Sequence, residues 1–287
     1  MIKSRKIQIV TCLLMMVVLL LLVLTKKTTE EAITYFPPDS SITFAEANTD
    51  IELFDMDNNK YFVNWIANSS LEEEIFLRQD VSLIYMDGYL KGIKGLWKES
   101  AKEIILDASF EEDESHFYQA ISFHHGENHY ENDDIRSIQQ MSTDNLYIMN
   151  SPQKGFLSFE QPSSPTQLKW KEKHDALMEQ QKQLVWNDWI NDANIEVERY
   201  EMYPLIDIIQ FQDKPLNDLT QEETNRIIGQ LWEGLYRNYI IPIADGLITD
   251  KQFMPLILID KQNDHLIVLF NEDNNKVKIL SQQLSID

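Results

Sequence analysis

The first hydrophobic feature of the chain is an uncharged run from Ile7 to Thr25, with three basic residues before it and two lysines directly after it. At about 1.5 Å per residue, a helix of this length spans roughly 28 Å, close to the hydrocarbon thickness of a bilayer. The residues that follow, Lys26 to Glu31, contain no small-residue cleavage site of the kind that ends a signal peptide. The pattern predicts a retained transmembrane helix at residues 7–25.

The basic residues around this run predict its orientation. The excess lies on the N-terminal side, which favours a cytoplasmic tail at residues 1–6 and an extracytoplasmic location for the rest of the chain. Residues 26–45 contain Pro37-Pro38 and little hydrophobic periodicity, and this combination predicts a tether. The chain is therefore expected at a cell membrane as a single-pass protein.

Strand-like apolar runs separated by polar turn segments dominate residues 46–150 and predict strands. Asp87-Gly88 lies between the strand-like runs VSLIY and YLKGI, and this dipeptide favours a type I′ hairpin turn. Further strand-like runs flank the polar segment 55–60 and the acidic segment 111–114. Residues 46–150 are therefore predicted to form a β-rich domain or subdomain.

The pattern becomes helical after residue 151. Ser164-Pro165-Thr166-Gln167 predicts a helix start with Ser164 as N-cap, and the helix should run to about Asn191. Thr220 to Glu223 predicts a second helix start of the same kind. The apolar residues expected near one face of the first helix are Trp170, Leu177, Met178, Leu184, Val185 and Trp189.

The remaining apolar runs of residues 151–287 predict strands. IEVERYEMY and LIDIIQF lie between the two helices, and LILID, HLIVLF and KVKIL form a predicted antiparallel β-meander at the end. The predicted fold class is therefore α+β: an N-terminal transmembrane helix, a β-rich part, and a helix-strand-helix part that ends in the meander. The pattern leaves open whether residues 46–150 and 151–287 are two domains or one.

Charge narrows the classes of partner. The chain has 25 basic and 47 acidic residues, and without the five basic residues that flank the predicted anchor its formal charge is −27. Such a surface repels phosphate, which argues against a nucleic-acid partner and against a second contact with anionic lipid. The single cysteine, Cys12, lies within the predicted anchor, so the residues after it contain no disulfide.

Four of the six histidines, His116, His124, His125 and His129, lie close together in the sequence. Gly126-Glu127-Asn128 is a potential hairpin turn, which would place His125 opposite His129. The two imidazoles, with Glu127 or Glu131, would then make a zinc-type ligand set. The segment lacks the HExxH spacing of metalloproteases, and the alternative interpretation is a solvated polar turn.

No catalytic residues and no cofactor other than this possible zinc ion are predicted, because G-x-S-x-G, P-loop and dinucleotide motifs are absent from the sequence. Trp186 departs from the apolar stripe of the first helix and is the predicted partner-binding residue. The expected function is a non-catalytic interaction or regulatory module at the cell envelope that binds another envelope protein. The alternative is a metal-dependent envelope hydrolase that uses His125 and His129.

Overall fold

The computed structural model describes residues 36–57, 60–151 and 155–284. Within these residues, ten strands form two antiparallel sheets that are accompanied by three α-helices, which confirms the α+β class. The predicted anchor and tail and most of the predicted tether lie outside the described residues. No helix inside them is both long enough and apolar enough to cross a membrane.

The first sheet has six strands in which β2 pairs with three neighbours. Its strands are β1 (Glu46–Asp57), β2 (Lys60–Met86), β3 (Tyr89–Glu112), β4 (His116–His129), β5 (Ile135–Ser151) and β6 (Gly155–Phe159). β3 pairs with β2 along its length, whereas the other edge of β2 pairs first with β1 and then with β4. The partner changes across Leu71 to Glu74, where the β2–β3 ladder is interrupted.

This change of partner makes β2 part of two layers. In residues 60–70 buried and more exposed side chains alternate, as expected for a strand with one covered face. From Leu77 to Tyr85 every side chain is buried, because both faces of that half are covered. Hydrogen bonds from Thr49 on β1 to Ser142 on β5 show that the two layers face each other. The space between the layers contains one part of the core and a group of polar side chains.

The turn at Asp87-Gly88 forms as predicted. Asp87 has a φ of 50° and Gly88 a φ of 77°, as a type I′ turn requires, and Met86 pairs with Tyr89 across the turn. The Gly88 carbonyl also accepts a hydrogen bond of 2.8 Å from the Met254 N–H, and Phe253 packs directly against Gly88. The hairpin therefore connects the first sheet to the C-terminal part of the chain.

The helices and the second sheet pack against the layer that contains β4 and the second half of β2, on the face turned away from β1. The helices are α1 (Pro165–Asp192), α2 (Gln221–Leu235) and α3 (Ile241–Ala244), with a π-helical turn, Tyr236–Ile240, between the last two. The second sheet has the order β10-β9-β8-β7, and its strands are β7 (Tyr200–Pro204), β8 (Leu256–Asp260), β9 (His265–Asn271) and β10 (Val277–Gln283). β8, β9 and β10 form the predicted meander, and β7 adds a fourth strand.

A single apolar cluster joins these elements. Trp232 on α2 is fully buried and stacks on Phe123 of β4, with ring centroids 5.1 Å apart. The same cluster contains Val81 and Leu83 of β2 and most of β8 and β9. The residues before and after position 151 therefore share a core. Burial of this apolar surface is the main contribution to the stability of the fold.

Both predicted helix starts are confirmed. Ser164 accepts a hydrogen bond from the Gln167 N–H, and Thr220 and Glu223 form a reciprocal capping box.

Asp87 fixes α1 to the hairpin, since its carboxylate lies 2.6 Å from Nδ1 of His116 and 3.0 Å from Nε2 of His174 on α1. Burial raises the pKa of Asp87, but the hydrogen bonds from the two histidines outweigh it and hold the pKa well below its usual range.

Two expectations for the second half are corrected. LIDIIQF is not a strand but a 3₁₀-helix, Leu205–Gln212, in which Leu205, Ile208 and Phe211 recur every third residue on the buried side. The prediction failed because a short apolar run has no period that separates strand from helix. IEVERYEMY is a strand only in its second part, β7, and begins with a 3₁₀ turn.

The apolar residues of α1 do not lie on one face. Met178 and Trp189 are buried, whereas Leu177 and Leu184 are 65% and 62% exposed. At 100° per residue, Leu177 and Leu184 lie about 100° around the helix from the buried pair, beyond the surface that the sheets cover. α1 therefore buries only a narrow stripe.

Candidate functional site

The space between the two layers of the first sheet contains a continuous chain of hydrogen-bonded side chains, which we term the polar seam. Its members come from four strands: Thr49 of β1; Trp65, Ser69, Arg78, Asp80 and Ser82 of β2; Ser122 and His124 of β4; and Ser142 of β5. In the second half of β2, the even-numbered residues Arg78, Asp80 and Ser82 point into the space between the layers. The β4 members meet them there because β4 is paired with this half of β2.

Asp80, His124 and Ser142 form the centre of the polar seam. Asp80 and His124 are directly opposite each other in the β2–β4 ladder, so their side chains share a face. The Nδ1–H of His124 donates to Oδ2 of Asp80 at 2.6 Å, and Nε2 of His124 lies 2.8 Å from Oγ of Ser142. This is the hydrogen-bond order of a Ser-His-Asp catalytic triad, in which the carboxylate orients the base and the base contacts the nucleophile.

The polar seam differs from a catalytic triad in its access. Asp80 and His124 are fully buried, and Oγ of Ser142 is also 2.6 Å from Oγ1 of Thr49, which lies over it on β1. Oγ1 of Thr49 in turn lies 2.6 Å from the hydroxyl of Ser122. The half-buried Ser142 hydroxyl therefore has a second hydrogen-bond partner besides His124.

The network continues beyond Ser122 into apolar surroundings. Ser122 donates to Oγ of Ser82 at 2.7 Å, and Nε1–H of Trp65 donates to the same oxygen at 3.1 Å. Ser122, Ser82 and Trp65 are all buried between the two layers of the first sheet. A buried network in which hydroxyls satisfy one another holds neighbouring strands in a single register, because a shifted pairing would leave polar groups without partners.

The other end of the polar seam is a buried arginine. Arg78 is fully buried, with Nη2 3.7 Å from Oδ1 of Asp80 and bonded to Oγ of Ser69. Its Nη1 donates to the Lys102 carbonyl at 2.7 Å, and its guanidinium lies 5.0 Å from the ring of Phe44. Burial lowers the pKa of Arg78, and the nearby Asp80 acts in the opposite direction. Lys102 lies where the β2–β3 ladder is interrupted, so the Arg78 side chain supplies a hydrogen-bond donor to a backbone carbonyl at that interruption.

The predicted histidine hairpin does not form. β4 continues without a turn through Gly126-Glu127-Asn128, and the chain reverses after His129 instead. Gly126 is needed for close packing, since a Cβ there would lie 2.4 Å from Cδ1 of Ile75. His125 and His129 are therefore four positions apart on one strand, which corresponds to about 13 Å, and do not face each other across a ladder.

The predicted zinc ligands occupy different environments. His125 is buried with Nε2 3.3 Å from Oγ of Ser137, and burial lowers its pKa to about 4. His129 stacks on Phe76 and lies 3.6 Å from Glu127, whereas Glu131 is exposed in the turn after β4. Within the described ranges, no three His, Cys, Asp or Glu side chains are grouped so as to hold a metal ion.

Trp186, the predicted partner-binding residue, is half-buried and held by the protein itself. Its Nε1–H donates to the Met254 carbonyl at 3.1 Å, and its ring packs edge-on against Phe253. Trp97 on β3, in contrast, is 40% exposed. Trp97 lies in a strand, so the helical spacing that singled out Trp186 could not select it.

Comparison of the chain with protein families, with curated proteins and with solved structures finds no match. Function is therefore argued from the geometry alone. Sequence reasoning grouped His124 with its neighbouring histidines and did not select Asp80 or Ser142. One signal was present: Arg78 and Asp80 are charged residues within a long strand-like run, and buried charges in such a run need partners.

Proposed function

We propose that the chain is a non-catalytic interaction module, held at the outer face of a cell membrane by an anchor at residues 7–25. The observation that carries this proposal is the closure of the polar seam. Asp80-His124-Ser142, which has the connectivity of a catalytic triad, has two fully buried members, and its half-buried serine is hydrogen-bonded to Thr49. Such a group contributes to the uniqueness of the fold rather than to chemistry on a substrate.

The free edge of β3 supports a binding role. Within the described part of the chain, Lys91 to Glu112 pair with β2 on one side only, while at the start of β3 Leu90 donates to the Gln252 carbonyl. Unpaired backbone groups along such an edge can accept an extended segment of another protein as an added strand. Trp97 and Ile105, 40% and 50% exposed, supply apolar contacts beside that edge. We propose that the partner is another envelope protein that contributes an extended segment.

The lysines of β3 oppose parallel pairing with a second copy of the same edge. Lys91, Lys94 and Lys98 lie on the first half of this strand, and Lys102 lies just beyond its midpoint. A parallel copy of the edge would bring these like charges together. The alternative of a metal-dependent hydrolase gains no support from the placement of His125 and His129.

Site-specific photocrosslinking in cells tests the binding role. A photoreactive phenylalanine analogue replaces Trp97 in the full-length chain, and the matched control carries it at Leu247, which is 70% exposed but remote from β3 in sequence. We expect a discrete crosslinked protein from position 97 and none from position 247. The same yield from both positions, or none from either in folded protein, would contradict the proposal.

Protease accessibility tests the proposed location. Protease added to intact spheroplasts should digest residues 28–287 of the full-length chain while the membrane remains sealed. Survival of these residues in spheroplasts, combined with digestion after permeabilisation, would show the reverse orientation.

A further inference from the structure

The solvent-facing side of α1 carries an apolar pair that no other described part of the chain covers. Leu177 and Leu184 are 65% and 62% exposed, and they lie seven residues apart, so they fall on one line along the helix. Met178, Trp189 and Ile190 bury the other side of α1. Residues seven positions apart share one heptad position, so both leucines can contact the same neighbouring helix.

The charges near this line are divided by sign. Lys173 and Asp188 lie one turn before Leu177 and one turn after Leu184, about 40° to either side of the line. Lys169 and Asp192 lie a further turn away, about 80° to either side. All four are exposed, and none forms an ion pair with another described residue. The helix dipole does not explain this order, since it favours acidic residues near the N-terminus and basic residues near the C-terminus. Asp188 also borders a cavity of about 420 Å³ that includes Lys251.

We propose that α1 pairs in antiparallel orientation with α1 of a second copy of this chain. A two-fold axis between Gln180 and Gln181 places Leu177 opposite Leu184 of the second copy and Lys173 opposite its Asp188. The symmetry repeats each contact, so one surface is complementary to itself, as an isologous dimer requires.

The charge of the chain selects this arrangement over the parallel one. With 47 acidic and 25 basic residues, two copies repel each other at long range unless basic patches meet acidic patches. A parallel pair would bring Lys173 against Lys173 and Asp188 against Asp188. The antiparallel pair opposes unlike charges at both ends and so fixes orientation as well as contact.

The size of the contact sets its strength. α1 has 28 residues and is about 42 Å long. A contact between two single helices falls below the roughly 1,200–2,000 Å² of a stable interface, so we expect a weak dimer in dilute solution. Confinement to one membrane raises the effective concentration and favours the dimer. This last step rests on the proposed anchor, whereas the helix contact does not.

Cysteine crosslinking of the full-length chain in phosphatidylcholine vesicles tests the geometry. In a Cys12→Ser background no other cysteine remains, so Gln180→Cys is the single thiol. Gln180 lies near the two-fold axis and 60° from Leu177, and should form a disulfide-linked dimer on mild oxidation. The matched control is Glu179→Cys, which is also exposed but lies about 200° from Leu177. Equal dimer yields from both variants, or no dimer from Gln180→Cys, would overturn the proposal.

A charge exchange separates the antiparallel pair from other contacts. In the Gln180→Cys background, Lys173→Glu should lower the dimer yield at least threefold, because it opposes two carboxylates at both ends. Lys173→Glu combined with Asp188→Lys should restore the yield. Circular dichroism checks that each variant is folded. Failure of the double variant to recover would overturn the assignment, and crosslinking from position 97 of β3 would remain an independent result.

Discussion

Asp80 and His124 are joined across the β2–β4 ladder by a hydrogen bond of 2.6 Å, and neither side chain is exposed to solvent. The same carboxylate accepts from Ser69 and lies beside the buried guanidinium of Arg78. One acidic group therefore orients an imidazole and compensates a buried cation. Loss of its charge affects several partners at once.

Asp80→Asn should lower the free energy of unfolding by about 3–5 kcal/mol, because it leaves Arg78 buried without an anionic neighbour. Urea denaturation measures the change. Asp107→Asn, an exposed change on β3, is the control and should stay within about 0.5 kcal/mol of the unmodified protein. Similar losses in both variants would show that Asp80 has no special role.

Ser142 should not react with a fluorophosphonate probe in the folded protein, because its hydroxyl is hydrogen-bonded to Thr49 and its neighbouring base, His124, is fully buried. Mass spectrometry of the digested protein measures labelling. Ser142→Ala should cost only about 1 kcal/mol of stability and leave crosslinking at position 97 unchanged. Stoichiometric labelling that Ser142→Ala removes would instead establish an accessible nucleophile.

His125 should make the protein sensitive to mild acid. Burial lowers its pKa to about 4, with the Asp80 and Arg78 charges acting in opposite directions. The unfolded chain, with an ordinary pKa near 6.5, binds the proton first. The stabilisation is therefore complete above pH 6.5 and is lost as pH falls towards 4, by up to about 3 kcal/mol.

His125→Phe removes this titration and keeps an aromatic ring near Phe123. Urea denaturation between pH 7 and 4 should show a shallower loss of stability for this variant. His129→Gln, a change at a partly exposed histidine, is the control and should keep the original slope. Parallel profiles for His125→Phe and the unmodified protein would refute the assignment.

Gly88→Ala should destabilise the fold through two separate costs. Gly88 has a φ of 77°, and an added Cβ would lie 2.7 Å from Cε2 of Phe253. Gly246→Ala is the matched control, since Gly246 has a φ of 69° but nothing within 4 Å of a Cβ. We expect about 1 kcal/mol for the control and 1–3 kcal/mol more for Gly88→Ala, measured by thermal unfolding. Equal costs would mean that Phe253 moves away freely.

Addition of zinc tests the metal site that the sequence predicted at His125 and His129. Micromolar zinc added to the chelator-treated chain should leave the melting temperature unchanged, because His125 is buried and His129 lies four positions along the same strand. A zinc-dependent rise that His129→Gln abolishes would establish a metal site here. His125→Ala is a poor probe, since a buried side chain contributes packing of its own.

Local chemistry accounts for what the sequence determined. The Asp87-Gly88 turn and the helix starts at Ser164 and Thr220 depend on backbone preferences and caps formed within a few residues, so the sequence was sufficient to predict them. The strand at residues 60–70 followed from a period of two, and the three C-terminal strands followed from short apolar runs separated by polar turns.

Tertiary structure decided the features that depend on distant partners. LIDIIQF became a 3₁₀-helix because its buried positions meet the sheets every third residue. No turn forms after His125 because β2 and β5 both pair with β4 there, and His125 therefore lies on a covered face of a continuous strand. His124 is 44 positions from Asp80 and 18 from Ser142, and only the pairing of three strands brings them within hydrogen-bond distance. Neither a local period nor a cap contains that information, because register between distant strands is set by burial of whole faces.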